Sequence, residues 1–302
     1  VIVIPLSGFL GNLLGRRTYY IGSILLFTGA SLLCGLATDI WTLVFFRFLQ
    51  GIGGGALLPT SQAILYETYP PEDRGKATGI FSMGLVLGPT IGPLLGGYLV
   101  DYFSWEWCFF VNIPVGLLAA WSAFSFIREP KTQHKVTRID WTGIGLLAVG
   151  IGSLQFILER GESKDWFETP YITWFTIIAV VSLLLFVWWE LRVEEPAVDL
   201  SVLGRSHNLA IAAVLTFVVG YGLYGSLFVF PVFVQHLLGF SALLTGTVLF
   251  PSAMVTGMIA LPLGIALQRG ASAKILMTVG MAAFALFCWE LGQQTMQSGA
   301  AN

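Results

Sequence analysis

The chain has 302 residues, 56% hydrophobic and 11% charged, with a mean hydropathy of +0.79. Soluble domains carry about 25% charged residues, so this composition excludes an ordinary soluble domain and points to a polytopic membrane protein. The net charge of −2 leaves no electrostatic footprint for nucleic acid or another polyanion.

Apolar runs separated by charged or Gly/Pro breaks predict ten helices, over 1–12, 19–38, 41–66, 77–100, 107–127, 141–158, 170–190, 208–234, 242–267 and 275–291. The first is incomplete, and each of the others is long enough to cross a hydrocarbon core of roughly 30 Å. The fold class expected is therefore an all-α polytopic membrane protein. The chain opens inside an apolar run at Val1, without Met, and closes at Asn302 just past another, so we read it as an internal fragment. Alternate loops divide the basic residues 12 to 2, with Arg160 and Lys164 alone on the poorer side and Arg47 inside a span. A missed or invented helix would collapse that split. The richer side, from Arg16 and Arg17 to Arg269 and Lys274, is cytoplasmic.

The segment Gly8–Arg17 reads as the first loop, its glycines at 8, 11 and 15 making a tight turn around Asn12 and its Arg16 and Arg17 facing the cytoplasm. A positive-inside anchor explains the arginines but not the glycine spacing. Helix 41–66 contains Arg47, with Gln50 three residues on and so on the same face. A cation at membrane depth is costly and faces a partner, a cavity or, by snorkelling, the interface. Arg47 is the one unambiguous charge at that depth and so the first candidate functional residue, with Gln50 beside it.

The stretch from Gly84 to Gly97 lies within helix 77–100. Gly84, Gly88, Gly92 and Gly96 recur every four residues and form a side-chain-free stripe that lets a neighbouring helix approach closely. Pro89 and Pro93 each remove a helical hydrogen bond. With Gly97 they make this helix the candidate gating surface, a helix built to bend at a moving interface; plain packing is the competing reading of the glycines.

Beyond the outer loop, Trp105 and Trp107 suit an interfacial belt. Asn112 and Pro114, in the first turns of the next span, suit a kink with a polar partner. The basic stretch Arg128–Arg138 is a cytoplasmic linker, Glu159–Trp166 a charged outer loop, and 191–206 an acidic linker. Pro251 and Pro262 bend the helix at 242–267, and Pro262, Gly264, Gln268 and Arg269 faintly echo Pro5, Gly8, Asn12 and Arg16, as a parallel repeat would. Cys34, Cys108 and Cys288 sit singly in apolar runs without disulfide or metal-ligand spacing. No metal, nucleophile or phosphate motif is found, so no cofactor is expected and an enzyme is disfavoured.

On these residues the chain resembles the major facilitator superfamily. Gly8, Asn12, Gly15, Arg16 and Arg17 are similar to its loop motif between the second and third helices; Arg47, Gln50, Gly51 and Gly53 are similar to its fourth-helix motif, which implies that Arg47 and Gln50 are the proton-coupling residues. Gly84, Gly88, Pro89, Gly92, Pro93, Gly96 and Gly97 match the fifth-helix motif typical of antiporters. Trp105, Trp107, Asn112 and Pro114 resemble a structural motif of the fourteen-helix drug:proton antiporters, and residues 150–155 with Arg160, Gly161 and Asp165–Phe167 resemble the EmrB- and QacA-like exporters, EmrB above all. The chain departs from the pattern at Asn12, where the family usually has Asp, at Leu13, where it has Arg, and at Glu106, where it has Arg.

The resemblance implies a major facilitator fold of two helix bundles plus two extra linker helices. It implies that 1–128 is an N-terminal bundle lacking its first helix, 129–206 the two inserted helices with their flanking loops, and 207–302 the start of the C-terminal bundle. It further implies proton-coupled export of hydrophobic and amphipathic drugs by alternating access in a bacterial cytoplasmic membrane, with the acidic proton site before Val1. Drugs, protons and lipid are then the partners, joined in Gram-negative cells by a periplasmic membrane-fusion protein and an outer-membrane channel. An importer or exporter of another organic solute on the same fold, and a non-transporting membrane scaffold, remain the alternatives.

Overall fold

The computed structural model describes residues 2–128, 140–237 and 239–293. Among them every regular element is helical: α1 (Val3–Leu14), α2 (Arg16–Gly35), α3 (Ile40–Thr68), α4 (Arg74–Tyr102), α5 (Trp107–Phe110), α6 (Asn112–Phe126), α7 (Trp141–Arg160), α8 (Pro170–Glu190), α9 (Ser201–Arg205), α10 (His207–His236), α11 (Ala242–Gln268) and α12 (Ala273–Gly292). Seven segments, counting α5 with α6, are long and apolar enough to span a bilayer. Large apolar side chains such as Trp41, Phe124, Leu184 and Phe217 stand exposed along them, which suits lipid rather than water as the surrounding solvent. The chain is a multi-pass membrane protein.

The first loop is shorter than its glycines imply. The helix runs on through Gly8, Gly11 and Asn12, because Phe9, Leu10, Leu13 and Leu14 continue the apolar run, and the chain turns at Gly15 alone, at φ 85°. Only that residue needs the left-handed region glycine tolerates. The span expected over 107–127 is interrupted at Val111 into α5 and α6. α3 and α4, 29 residues each, are about 43 Å long and so overshoot the hydrocarbon core. Asp39 starts α3, its carboxylate accepting from the Trp41 N–H at 2.9 Å, the Thr42 N–H at 3.0 Å and the Thr42 hydroxyl at 2.9 Å. Those bonds, the Thr42 N–H first, hold its carboxyl below the usual carboxylate range.

Packing divides the chain into two compact units, residues 1–64 with 109–209 and residues 65–108 with 210–302. This division follows spatial contact and cuts across the chain-order division drawn from the sequence, since α4 lies with α11. In the first unit, α2 packs on α6 through Ile24, Ala120 and Ala123. α7 and α8 form a hairpin around Ile157, Ile172 and Ala179, and α1 joins it through Leu6, Leu147 and Phe186. Gly53 lets α3 touch the backbone of α2: a Cβ there would stand 2.6 Å from the Phe27 nitrogen.

In the second unit the contact between α4 and α11 is close to backbone on backbone. A Cβ on Gly75 would stand 2.7 Å from the Gly264 carbonyl oxygen, one on Gly79 3.1 Å from that of Ala260, and one on Gly246 3.1 Å from the Leu94 Cα. A Cβ on Gly264 would overlap the Gly75 carbonyl oxygen. Gly75 and Gly79 face Ala260 and Gly264 across the seam, one small-xxx-small pair against another.

Candidate functional site

Arg47 and Gln50 meet as their spacing predicts. One turn of α3 brings the guanidinium to the amide, and Arg47 Nη1 donates to Gln50 Oε1 at 2.9 Å. Gln50 is buried and Arg47 exposed. The guanidinium lies over the Phe109 ring, 5.5 Å from its centroid, a favourable setting for a cation away from water. Among the described residues no carboxylate pairs with it. Behind this pair runs a polar chain between α2 and α6: Asn112 Nδ2 donates to Ser31 Oγ at 3.1 Å, which donates to the Phe109 carbonyl at 3.0 Å. Asn112 thus has the polar partner its place suggests. Pro114 sits in the first turn of α6, and Trp105 and Trp107 are both exposed.

The residues of the first motif are divided between helix and turn. Arg16 donates to Asn12 Oδ1 at 3.4 Å, one turn back, so the neutral amide takes a long bond where the family's carboxylate would take a charged one. Arg17 reaches across to α6, donating to the Phe124 carbonyl at 2.7 Å, with its guanidinium 5.1 Å from the Phe124 ring. This ties the N-terminal end of α2 to the C-terminal end of α6. Gly8 meets no neighbour within 4 Å.

α4 stays helical through Pro89 and Pro93. Among the described residues, a Cβ on Gly84, Gly88, Gly92 or Gly96 would meet nothing within 4 Å, although the Gly96 carbonyl accepts from the Cys108 thiol of α5 at 3.9 Å; Gly97 is buried. The face of α4 that does touch α11 is displaced around the helix and carries Gly75, Gly79, Leu87 and Leu94. Sequence reasoning singled out the longer glycine series and passed over Gly75 and Gly79. The signal that could have found them is the matching Ala260 and Gly264 pair.

Sequence reasoning also missed a cavity of about 1010 Å³ in the second unit, between α4, α10, α11 and α12. Its lining is mainly apolar, with Met277, Met281 and Phe284 on one side, hydroxyls from Thr78, Ser82, Thr216 and Thr256, and Arg74 as the sole charged side chain among the described residues. Arg74 is already held, donating to the carbonyls of Tyr66 at 2.9 Å and Tyr69 at 3.2 Å. Such a space can take a lipophilic molecule of drug size, and flexible methionines let it adapt to different shapes. Among the described residues no cluster of three or more His, Cys, Asp or Glu side chains could hold a metal ion.

The sequence matches the family profile described as Major Facilitator Superfamily over residues 1–299. It is 37% identical over 255 residues to the multidrug export protein EmrB of Escherichia coli (strain K12), covering 84% of this chain and 49% of that protein. Over 251 residues it is 37% identical to the fatty acid resistance protein FarB of Neisseria gonorrhoeae, covering 83% of this chain and 49% of that one. The multidrug resistance protein 3 of Bacillus subtilis (strain 168) is 36% identical over 282 residues, 93% of this chain and 54% of its own. The chain spans about half the length of the curated relatives it matches.

Proposed function

The chain belongs to the Major Facilitator Superfamily, and on that premise we propose that the full-length protein exports lipophilic and amphipathic compounds across a bacterial cytoplasmic membrane in exchange for protons. The observation that carries this reading is the 35–37% identity, over more than four fifths of the chain, to proteins named for multidrug export and fatty acid resistance. The cavity supports it: an apolar lining with scattered hydroxyls and, among the described residues, no acidic side chain suits cargo held by burial rather than by a specific ion pair.

No covalent chemistry is needed. Two bundles rock about a central site, exposing it to one side of the membrane at a time. In this reading 1–128 and 207–302 contribute to the two bundles and 129–206 supplies the inserted helices. Exchange follows if proton and cargo compete for one carboxylate. Arg47, oriented by Gln50, is the residue we assign to resetting that acid, because a nearby cation favours the ionised form. Its exposed guanidinium without a carboxylate partner among the described residues fits an acid supplied from elsewhere in the full-length protein. Gly84, Gly88, Pro89, Gly92, Pro93, Gly96 and Gly97 form the proposed moving surface, and Gly8 through Arg17 the cytoplasmic gate. A periplasmic membrane-fusion protein and an outer-membrane channel complete the reading in a Gram-negative cell; their support is the resemblance alone.

The test uses the full-length protein in everted vesicles holding an imposed proton gradient. A lipophilic cation or a long-chain fatty acid is added and lumenal pH is followed. Substrate-triggered proton release is the expected result, and Arg47→Ala abolishes it while the protein remains in the membrane. Normal export by that variant removes Arg47 from coupling. No response to a broad panel, in protein shown to be folded, turns the reading toward an importer or a scaffold.

A further inference from the structure

Asp140 and Glu190 are brought together where α7 begins and α8 ends. Both are buried, at 9% and 4% exposure. Asp140 caps α7: its Oδ1 accepts from the Gly143 N–H at 2.9 Å and from the Trp189 indole N–H at 2.9 Å. Glu190 Oε2 accepts from the Val198 N–H at 3.3 Å, on the connector 191–200 that leads toward α10. The remaining oxygens, Asp140 Oδ2 and Glu190 Oε1, have no donor among the described residues. They converge on one point, since a methyl group built on Gly143 would overlap both at once. Leu6, Leu147, Phe186 and Ala197 pack into one apolar cluster here, with Ile144 and Val198 against it.

Two buried, ionised carboxylates facing each other repel, and each leaves an acceptor without a donor, a costly state away from water. One proton resolves both defects: a protonated carboxyl donates once, and the facing oxygen accepts. We propose that Asp140 and Glu190 form a proton-binding site that holds one proton between Oδ2 and Oε1 at neutral pH. The proton is shared by the two carboxyls, each of which keeps its other oxygen on N–H donors: Asp140 on Gly143 and Trp189, Glu190 on the connector backbone at Val198. The ionisable groups on the packed elements are few. α1 has none, Glu159 and Arg160 stand at the far end of α7, and Arg192, Glu194, Glu195 and Asp199 lie on the connector. Asp199 is itself held by the Ser201 N–H and hydroxyl. The bound proton clasps α7, α8 and the connector into one unit. Its departure sets two negative charges against each other and loosens the connector at Val198.

The experiment is infrared spectroscopy on the purified full-length protein in lipid, with thermal unfolding followed against pH. At neutral pH the parent shows the C=O stretch of a protonated carboxyl, and Glu190→Gln removes it. Because the fold binds this proton more tightly than the unfolded chain does, the parent loses stability as pH rises through the site's titration. In Glu190→Gln that decline disappears while the fold is kept, since the amide N–H₂ donates to Asp140 Oδ2 in place of the acid. Asp140→Asn serves as the second variant and also removes the band, by leaving Glu190 free to ionise. A band that persists in both variants, or a pH decline unchanged in Glu190→Gln, overturns the proposal. Neither readout requires transport, so this site and the exporter reading fail or stand separately.

Discussion

α4 carries two glycine faces that look alike in sequence and differ completely in surroundings. Gly75 and Gly79 press against the backbone of α11 at Ala260 and Gly264, where a single added carbon has no room. A Cβ added to Gly84, Gly88, Gly92 or Gly96, with the same spacing, would meet nothing within 4 Å among the described residues, though the Gly96 carbonyl touches the Cys108 thiol at 3.9 Å. Equal spacing therefore does not mean equal work. On the first face the missing side chain is a requirement of packing; on the second it leaves a smooth surface free to accept or release a neighbour.

Substitution separates the two roles. Gly264→Leu has the largest expected effect, because its Cβ already overlaps the Gly75 carbonyl and the rest of the side chain has nowhere to go. Overpacking of this kind costs roughly 1–3 kcal/mol or more, read as a marked fall in Tm of the full-length protein in detergent. A Tm equal to the parent's would show that the seam tolerates bulk and would erase the contrast between the faces. Gly88→Ala is next. With open space around it, alanine's better helix propensity, worth up to about 1 kcal/mol, leaves Tm equal or slightly higher. If transport or passive proton leak changes at constant Tm, the open face works during the cycle; unchanged transport and leak, in Gly88→Leu as well, reduce it to a lipid-facing surface. The smallest effect belongs to Gln268→Ala. Its amide reaches Asp73 at 3.5 Å in an exposed position at the end of the same seam, and such a bond contributes well under about 1 kcal/mol. A Tm loss as large as that of Gly264→Leu would relocate the strength of the contact from backbone fit to this polar pair.

Most of the helices were legible because membranes demand long apolar runs and place charges between them, so α2, α3, α7, α8 and α11 follow directly from composition along the chain. The Arg47–Gln50 bond was legible for a local reason, three residues on one helical turn. What a run of residues does not contain is the rotation of its helix toward a distant neighbour, and that alone distinguishes Gly79 from Gly84. The same limit hid Asp140 and Glu190. Each reads singly as an ordinary carboxylate at a helix end, and only the α7–α8 hairpin brings them onto Gly143. The first turn misled differently: three glycines at 8, 11 and 15 resemble a loop, but the leucines and phenylalanine among them keep the helix going to Leu14.

The seam between α4 and α11 also has a history in time. Asp73 and Gln268, at one end of it, are 195 residues apart in sequence. At roughly 5–20 residues per second, a ribosome takes about 10–40 s to make the chain between them. Throughout that interval Gly75 and Gly79 are in the membrane without α11, whereas α8 follows α7 almost at once and their hairpin closes locally. A surface that fits backbone to backbone in the finished protein thus stands open for much of its synthesis.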